Sequence, residues 1–333
     1  MKMANFLSEQ KISSPVFLAP LAGITDLPFR NLVNSFGAGL VVSEIVASKE
    51  LIVGGKNALA RASIGAHVEN TSVQISGSDP LIMAECARMC EDHGAKIIDI
   101  NMGCPAKKVV NGYAGSALMQ DIKAAKEIIE HVVNAVKVPI TLKTRLGWDD
   151  KKLNAPELCL IAQDLGIQLI TLHGRTRCQF FKGTADWERI SDTVNELQIP
   201  VIANGDITDV SSARRALKLS GAAGIMIGRG VGGKPWLLAE ISHVLFNTKP
   251  PKIPSAQSFC EMMVLHYEAA LTFYGDTLGV RSVRKHINWY LGYMGITDGK
   301  IRKKILTEEN PSLVINMIKS LIDLERCESL EKV

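Results

Sequence analysis

Eight times between residues 1 and 245 the chain repeats one unit: a short β-rich apolar run, a loop of Gly, Pro or polar residues, then a helical stretch. The apolar runs are residues 16–20 (VFLAP), 40–44 (LVVSE), 72–77 (SVQISG), 96–102 (KIIDINM), 139–145 (PITLKTR), 169–174 (LITLHG), 200–205 (PVIANG) and 224–230 (GIMIGRG), starting 24 to 43 residues apart. Helical candidates between them include 80–93, 121–136, 155–165 and 210–220. Strands that alternate with helices pair in parallel through right-handed crossovers. Eight such units predict an α/β fold, a closed (β/α)8 TIM barrel. An open doubly wound sheet is the alternative.

Beyond residue 250 the period changes. Lys249-Pro250-Pro251-Lys252-Ile253-Pro254 reads as a stiff, helix-breaking linker. Phe259, Met262, Met263, His266, Ala270 and Phe273 then recur at helical steps, and this stripe reads as core rather than as a groove. Ser258 with Glu261 has the spacing of a capping box, with Ser255 as a competing cap. Further helices are expected around 280–292, 298–306 and 311–325. The expected domains are a TIM barrel over residues 1–249 and a small all-helical domain over 250–333.

With 47% hydrophobic and 22% charged residues, the composition is that of a globular protein rather than a disordered one. No run of about 18 apolar residues occurs, so no membrane span is expected. The apolar stretch starting at Val16 is too short and too far along the chain to read as a secretory signal. The cysteines at 86, 90, 104, 159, 178, 260 and 327 form no C-x-x-C pair, which argues against a metal site and for thiols in a reducing compartment. A cytoplasmic monomer is expected. The net charge is only +4, but residues 281–304 hold seven bases (Arg281, Arg284, Lys285, Lys300, Arg302, Lys303, Lys304) against Asp298 alone, interleaved with Trp289, Tyr290 and Tyr293. Aromatic residues among such charges raise the expectation of a nucleic-acid surface.

In barrels of this kind function gathers at the C-terminal ends of the strands. Here the first run ends in Pro20-Leu21-Ala22-Gly23 and the second in Glu44, while the third holds Gln74. The fourth leads into Asn101-Met102-Gly103-Cys104-Pro105, and the fifth carries Lys143 and Arg145. The last three end in His173-Gly174-Arg175-Thr176-Arg177, Asn204-Gly205-Asp206 and Gly228-Arg229-Gly230. Structural hydrogen bonding explains any one of these residues, but the set is costly to bury unless it meets a polar ligand.

Glycines 205, 228, 230, 232 and 233 let backbone N–H groups approach an oxyanion, the recurring phosphate site after the last two barrel strands. Gly228, Gly230 and Gly233 also spell G-x-G-x-x-G, but no strand follows and no acid stands about 20 residues on, so a dinucleotide fold is rejected. A phosphate anchor, the Gln74 amide and the Lys143 cation together suit a flavin mononucleotide. A Schiff-base role for Lys143 would leave Gln74 and Cys104 without a use. Cys104, in a polar strand-end loop, has the setting of a proton donor to carbon; Cys86 and Cys90, one helical turn apart, read as packing residues.

These motifs, taken in order, resemble the tRNA-dihydrouridine synthases, most of all the bacterial B-type branch. Residues 19–26 (APLAGITD) with Phe29-Arg30 are similar to the family's opening signature, and residues 99–105 (DINMGCP) to its active-site loop. Lys143-x-Arg145-x-Gly147, residues 173–177 (HGRTR), Asn204-Gly205-Asp206, Gly228-Arg229-Gly230, and Arg284-Lys285-His286 with Trp289-Tyr290 match in order and spacing. Leu21 departs from the family's usual Met, a swap of similar volume. The resemblance implies that Pro20, Leu21, Ala22, Gln74, Lys143, Asn204, Gly205, Asp206, Gly228 and Arg229 hold FMN, with His173 near it. It implies that NADPH reduces the flavin, that Cys104 is the proton donor and that Asn101 and Arg145 hold the uracil. Arg175, Arg281, Arg284 and Lys285 are further expected substrate contacts, with the helical domain gripping tRNA.

In the implied reaction, hydride from the reduced flavin N5 adds to C6 of a uridine and Cys104 protonates C5 from the opposite face. Well-placed donors such as Arg145 stabilise the intervening enolate by about 2.7–4 kcal/mol each. Drawing the base out of its stack costs a few kcal/mol, to be offset by salt-sensitive phosphate contacts. A rival reading, an FMN barrel oxidoreductase acting on a free pyrimidine or another small conjugated carbonyl, leaves the basic helices without a role. A non-enzymatic RNA-binding scaffold would purify colourless.

Overall fold

The computed structural model describes the backbone of residues 2–65 and 70–330, and their side chains except those of 2, 256 and 322–330. Nine strands are present among the described residues: β1 (Val16–Leu18), β2 (Leu40–Val42), β3 (Val46–Ala47), β4 (Thr71–Ser76), β5 (Ile97–Met102), β6 (Ile140–Arg145), β7 (Leu169–His173), β8 (Val201–Asn204) and β9 (Gly224–Ile227). Neighbours pair in parallel from β1 to β2, β2 to β4, and onward to β9. β9 returns to β1 with Phe17 opposite Met226, closing the barrel. The TIM barrel read from the repeat is the fold of the chain.

The repeat did not reveal a break in the second run. Its strand stops at Val42 and resumes as β3 beside β4, with Val46 opposite Ile75. Between the two, the Ser43 hydroxyl accepts the Gln74 N–H at 3.0 Å, and Glu44 turns its carboxylate onto the Gly23 N–H at 2.6 Å. The interruption thus ties the loop after β1 to the end of β2.

Aspartates in the βα loops start many of the outer helices. Asp26 caps Leu27–Ser35, Asp79 caps Pro80–Asp92 and Asp121 caps Ile122–Ala135, each accepting backbone N–H groups of the first turn. Asp209 forms a capping box with Ser212 for Val210–Ser220, which ends on the left-handed Gly221.

The two-residue period of the strands divides the interior. Outward-facing Ile98, Ile100, Leu142, Ile170, Leu172, Ile225 and Ile227 join the helices in the main core. Inward-facing Phe17, Leu40, Ile97, Leu169, Ile202 and Met226 form an apolar floor with Phe6 and Ile12. Phe6 lies on a helix, Lys2–Glu9, that plugs the barrel from its N-terminal end; the repeat gave no sign of it. Above the floor the inward-facing positions turn polar.

Four helices follow residue 255: Ala256–Tyr274, Asp276–Tyr293, Gly299–Thr307 and Pro311–Leu330. The expected apolar stripe is core: Phe259, Met262, Met263, His266 and Ala270 are buried and Phe273 is half-buried. Ser255, not Ser258, caps the first helix, with Ser258 returning its hydroxyl to the Ser255 N–H. This core is continuous with the barrel, because Trp236, Leu32 and Phe36 pack into it. The side chain of Cys327 and the last residues of the expected helical domain, 331–333, lie outside what is described. Among the described residues no helix is long and apolar enough to cross a membrane.

The basic–aromatic expectation needs correction. Tyr290 is fully buried and hydrogen-bonds His266 at 3.0 Å, while Trp289 packs against the backbone of Gly232 and Gly233. Tyr293, 48% exposed, stacks on Phe259 at a centroid distance of 5.3 Å. The aromatic face of Asp276–Tyr293 therefore docks onto the barrel and the helical core, leaving its other face to the charges. His286 is part of that docking, donating to the Ile24 carbonyl at 3.1 Å beside the ring of Phe29. Burial holds this imidazole at about 4, well below its ordinary range, so it docks as the neutral form.

Candidate active site

Strand register sets the site. Gln74 lies opposite Asp99, Asp99 opposite Thr141, and Asn101 opposite Lys143, while Arg145 faces His173 and His173 faces Asn204. The Gln74 Nε2 donates to Asp99 Oδ2 at 2.7 Å, and Thr141 donates to Asp99 Oδ1 at 2.6 Å. Asn101 Nδ2 donates to Gln74 Oε1 at 2.8 Å, and Asn101 Oδ1 in turn accepts the Cys104 N–H at 3.0 Å and the Gly103 N–H at 3.3 Å. On its other side the Cys104 carbonyl accepts from the Ser116 hydroxyl at 2.9 Å and the Ser116 N–H at 3.1 Å. A side chain at Gly115, where φ is +60°, would press on Cys104, so the thiol loop is clamped from three directions.

Lys143, almost wholly buried, donates to Asn204 Oδ1 at 3.0 Å across the width of β7, and Asn204 Nδ2 is anchored on the Met226 carbonyl at 2.8 Å. Burial, with repulsion from Arg145, lowers the Lys143 ammonium to about 8; Asp99 and Cys104 act in the opposite sense. Arg145 reaches the Gly103 carbonyl through Nε at 2.7 Å, and the Thr176 and Phe180 carbonyls through Nη1 at 3.0 and 2.9 Å. Burial brings it to about 10, opposed by Cys104. Its guanidinium stands 5.7 Å from the ring centroid of Phe181, and that of Arg229 stands 5.4 Å from the same ring. The thiol loop and the glycine-rich last loop thus border one opening.

His173 is held well below its ordinary value, first by burial and then by Lys143, Arg145, Arg175 and Arg229, so the ring is neutral. It lies against Gly205, whose φ of +119° and lack of a side chain admit the ring 3.2 Å from where a Cβ would stand. Pro20, Leu21 and Ala22 form the rim after β1, with Leu21 beside Gly228. That rim is fixed from beneath by Glu44, by His286 and by fully buried Arg30, which donates to the Thr25 carbonyl at 2.7 Å.

Other expected contacts fall elsewhere. Arg175 is buried, and its five N–H bonds are all engaged: Nε with the Lys182 carbonyl, Nη1 with Asp206 and His173, Nη2 with the Gly183 carbonyl and Asp206. In this arrangement it is a loop clamp rather than the expected substrate contact. Asp206 joins Arg175 to Arg229, the latter at 3.3 Å and 60% exposed. Arg281 and Lys285 are exposed and Arg284 half-buried on the Asp276–Tyr293 helix, with Arg281 3.9 Å from Glu309 and Arg284 donating to the Glu308 carbonyl at 3.3 Å. None of these three contacts the strand-end groups. Two residues of the site were assigned no role of their own from the sequence. Asp99 was detectable as an acid inside a buried strand; Phe181, 52% exposed in an irregular loop, gave no signal. Cys86 and Cys90 are buried, as expected of packing residues.

The flavin expectation is compatible with this donor set, which offers a buried ammonium, an oriented amide, a glycine-lined loop and an exposed guanidinium. A closed parallel barrel with a cationic, thiol-bearing opening at its strand ends defines the class. A family model described as dihydrouridine synthase matches residues 17–311. A Rhodobacter capsulatus protein named probable tRNA-dihydrouridine synthase is 49% identical over 320 residues, 96% of this chain and 98% of that protein. One of the same name from Rickettsia bellii is 52% identical over 84% of this chain and 86% of its own length. The tRNA-dihydrouridine synthase B of Xanthomonas axonopodis pv. citri is 46% identical over 84% of each. Histamine dehydrogenase from Rhizobium sp. 4-9 shares the fold, with a TM-score of 0.53 at 13% identity over 78% of this chain and 49% of that one. The chain belongs to the dihydrouridine synthase family.

The Arg175–Asp206 clamp has a pH signature. Burial alone would raise the Asp206 carboxyl, but the Arg175 hydrogen bond, the Ala185 N–H and the charges of Arg175 and Arg229 hold it below the ordinary 3.8. A lowered folded-state value means its stabilisation is complete above that ordinary value and lost as pH falls through the folded one. Urea midpoints of the parent are therefore expected to fall more steeply than those of Asp206→Asn below about pH 4. Parallel curves would contradict this assignment.

Proposed function

We propose that the protein is a tRNA-dihydrouridine synthase that holds FMN in the barrel opening, is reduced by NADPH and reduces the C5=C6 bond of uridines in tRNA. The observation that carries the reading is the convergence of the Cys104 loop, Lys143 and the Arg229 loop on one opening, bridged by the Lys143–Asn204 bond and the Phe181 ring. Bound and reduced, FMN would supply hydride from N5 for C6 of the uracil.

The chain's own residues do the rest. Gln74 and Lys143 would hold the ring system, Lys143 supplying a cation to a ring that is electron-rich when reduced. Arg229 and the loop of Gly228 would hold the phosphate, and neutral His173, Asn204, Gly205, Asp206 and the rim of Pro20, Leu21 and Ala22 would enclose the remainder. Arg145 retains Nη2 without a hydrogen bond among the described residues, and with the spare N–H of Asn101 it faces the uracil carbonyls. Cys104 donates its proton to C5. Its peptide is fixed on both sides, which holds the thiol at one depth in the opening.

The same reading assigns residues 1–249 to catalysis and 250–333 to gripping tRNA, in a cytoplasmic monomer. Support for the grip comes from the charges alone: Arg281, Lys285, Lys300, Lys303 and Lys304 are exposed, whereas Arg302 is engaged with the Ile296 carbonyl and Asn288. Removing the helices would expose Trp236 and unseat the loop that Trp289 supports, so charge reversal is the cleaner test.

Cys104→Ala is expected to retain flavin and NADPH oxidation while losing uridine reduction by about 100-fold or more, the scale of general-acid catalysis. Dihydrouridine is mapped in unmodified transcript and in native tRNA from a deficient strain, and full activity of the variant would remove the thiol from the mechanism. Lys285→Glu with Lys304→Glu is expected to raise KM for tRNA and flatten its salt dependence, with NADPH oxidation unchanged. An unaltered KM would favour a small-molecule substrate.

A further inference from the structure

We propose that Asp99 is a positioning residue of the active site: its buried carboxylate fixes which way round the Gln74 and Asn101 amides face the opening. The proposal rests on the flavin reading only for one of its two readouts.

A side-chain amide has a donor end and an acceptor end of nearly the same shape, so a lone buried amide can sit either way round. Here the chain of contacts has one permitted sense. At the top stand the Cys104 and Gly103 N–H groups, which only donate, and Asn101 Oδ1 accepts both. That turns Asn101 Nδ2 toward Gln74 Oε1 and Gln74 Nε2 toward Asp99 Oδ2. At the bottom, Thr141 takes the other carboxylate oxygen. Every link donates toward Asp99. Reversing Gln74 would set its carbonyl against the carboxylate and its NH2 against that of Asn101, two buried clashes at once.

The assignment does not depend on the charge of Asp99. Burial raises its proton affinity, while Gln74, Thr141 and Lys143 oppose that rise. A proton would sit on Oδ1, facing a Thr141 hydroxyl that can equally accept, and Oδ2 would still receive the Gln74 N–H. The consequence for binding lies in what each amide has left: one N–H and one lone pair on Gln74, and one N–H on Asn101, in a fixed arrangement. Asp99 itself reaches nothing beyond its neighbours, so it acts only through them.

FMN dissociation constants of the full chain, read by fluorescence quenching, test this. Asp99→Leu is expected to weaken binding about tenfold, the scale of one misdirected buried hydrogen bond. Asp99→Asn, which presents an oxygen to Gln74 and an NH2 to Thr141, should stay within about threefold. In a Gln74→Ala background Asp99→Leu should add almost nothing, because the residue through which it acts is gone. Unchanged binding in Asp99→Leu overturns the proposal, and so does an undiminished loss in the Gln74→Ala background or an equal loss in Asp99→Asn. The second readout needs no flavin. Gln74→Glu sets two carboxyl groups face to face and should lower the melting temperature of the flavin-free chain, and adding Asp99→Asn should restore it. Failure to restore it overturns the proposal even if Asp99→Leu does not fold. A parent chain that binds no FMN refutes the flavin reading and leaves the melting comparison to judge Asp99.

Discussion

A barrel closed by eight parallel strands has a lumen into which every second side chain must point, and a polar group placed there is costly unless it finds a partner inside. That constraint organises this molecule. The floor meets it with apolar residues and a helical plug. One layer higher the lumen holds Asp99, Thr141, Gln74, Asn101, Lys143 and Asn204, and two short circuits satisfy them: Cys104 to Asp99 through two amides, and Lys143 to Met226 through Asn204. An unpaired polar group at this depth costs several kcal/mol, so the network fixes the geometry of the opening before any ligand enters.

The helices after residue 255 extend that rigidity rather than standing apart from it. Their core includes Trp236 and Phe36 of the barrel, His286 holds the rim after β1, and Trp289 backs the glycine-rich loop after β9. A macromolecule gripping these helices would therefore press on both edges of the opening that face β1 and β9. The charged face remains exposed.

Much of this was legible because it repeats or because a residue type leaves no choice. The strands were marked by apolar runs at regular spacing and the helical core by the Phe259–Met263–His266 stripe, whereas the aspartate caps at 26, 79, 121 and 209 were not singled out. Cys104, Lys143 and Arg145 stood out as polar residues at strand ends. The remainder depends on distances between segments that are remote in sequence. The break after Val42 exists because Glu44 meets Gly23, and Arg175 is occupied because Asp206 and the Gly183 carbonyl close over it. Trp289 and Tyr290 looked like a nucleic-acid surface because sequence gives the spacing of aromatic residues on a helix, not which face the barrel covers.

In the proposed reaction the Cys104 thiol delivers a proton to one face of a uracil whose other face would meet the flavin. Reduction of unmodified tRNA in deuterium oxide by the NADPH-supplied holoenzyme tests it most directly, because a thiol exchanges with solvent and marks the carbon it protonates. One deuterium is expected at C5, on a single face opposite the new C6 hydrogen. Label at C6 itself follows from solvent exchange of the N5–H; deuterium spread over both faces of C5, or on the same face as the hydrogen that N5 delivers to C6, would contradict it.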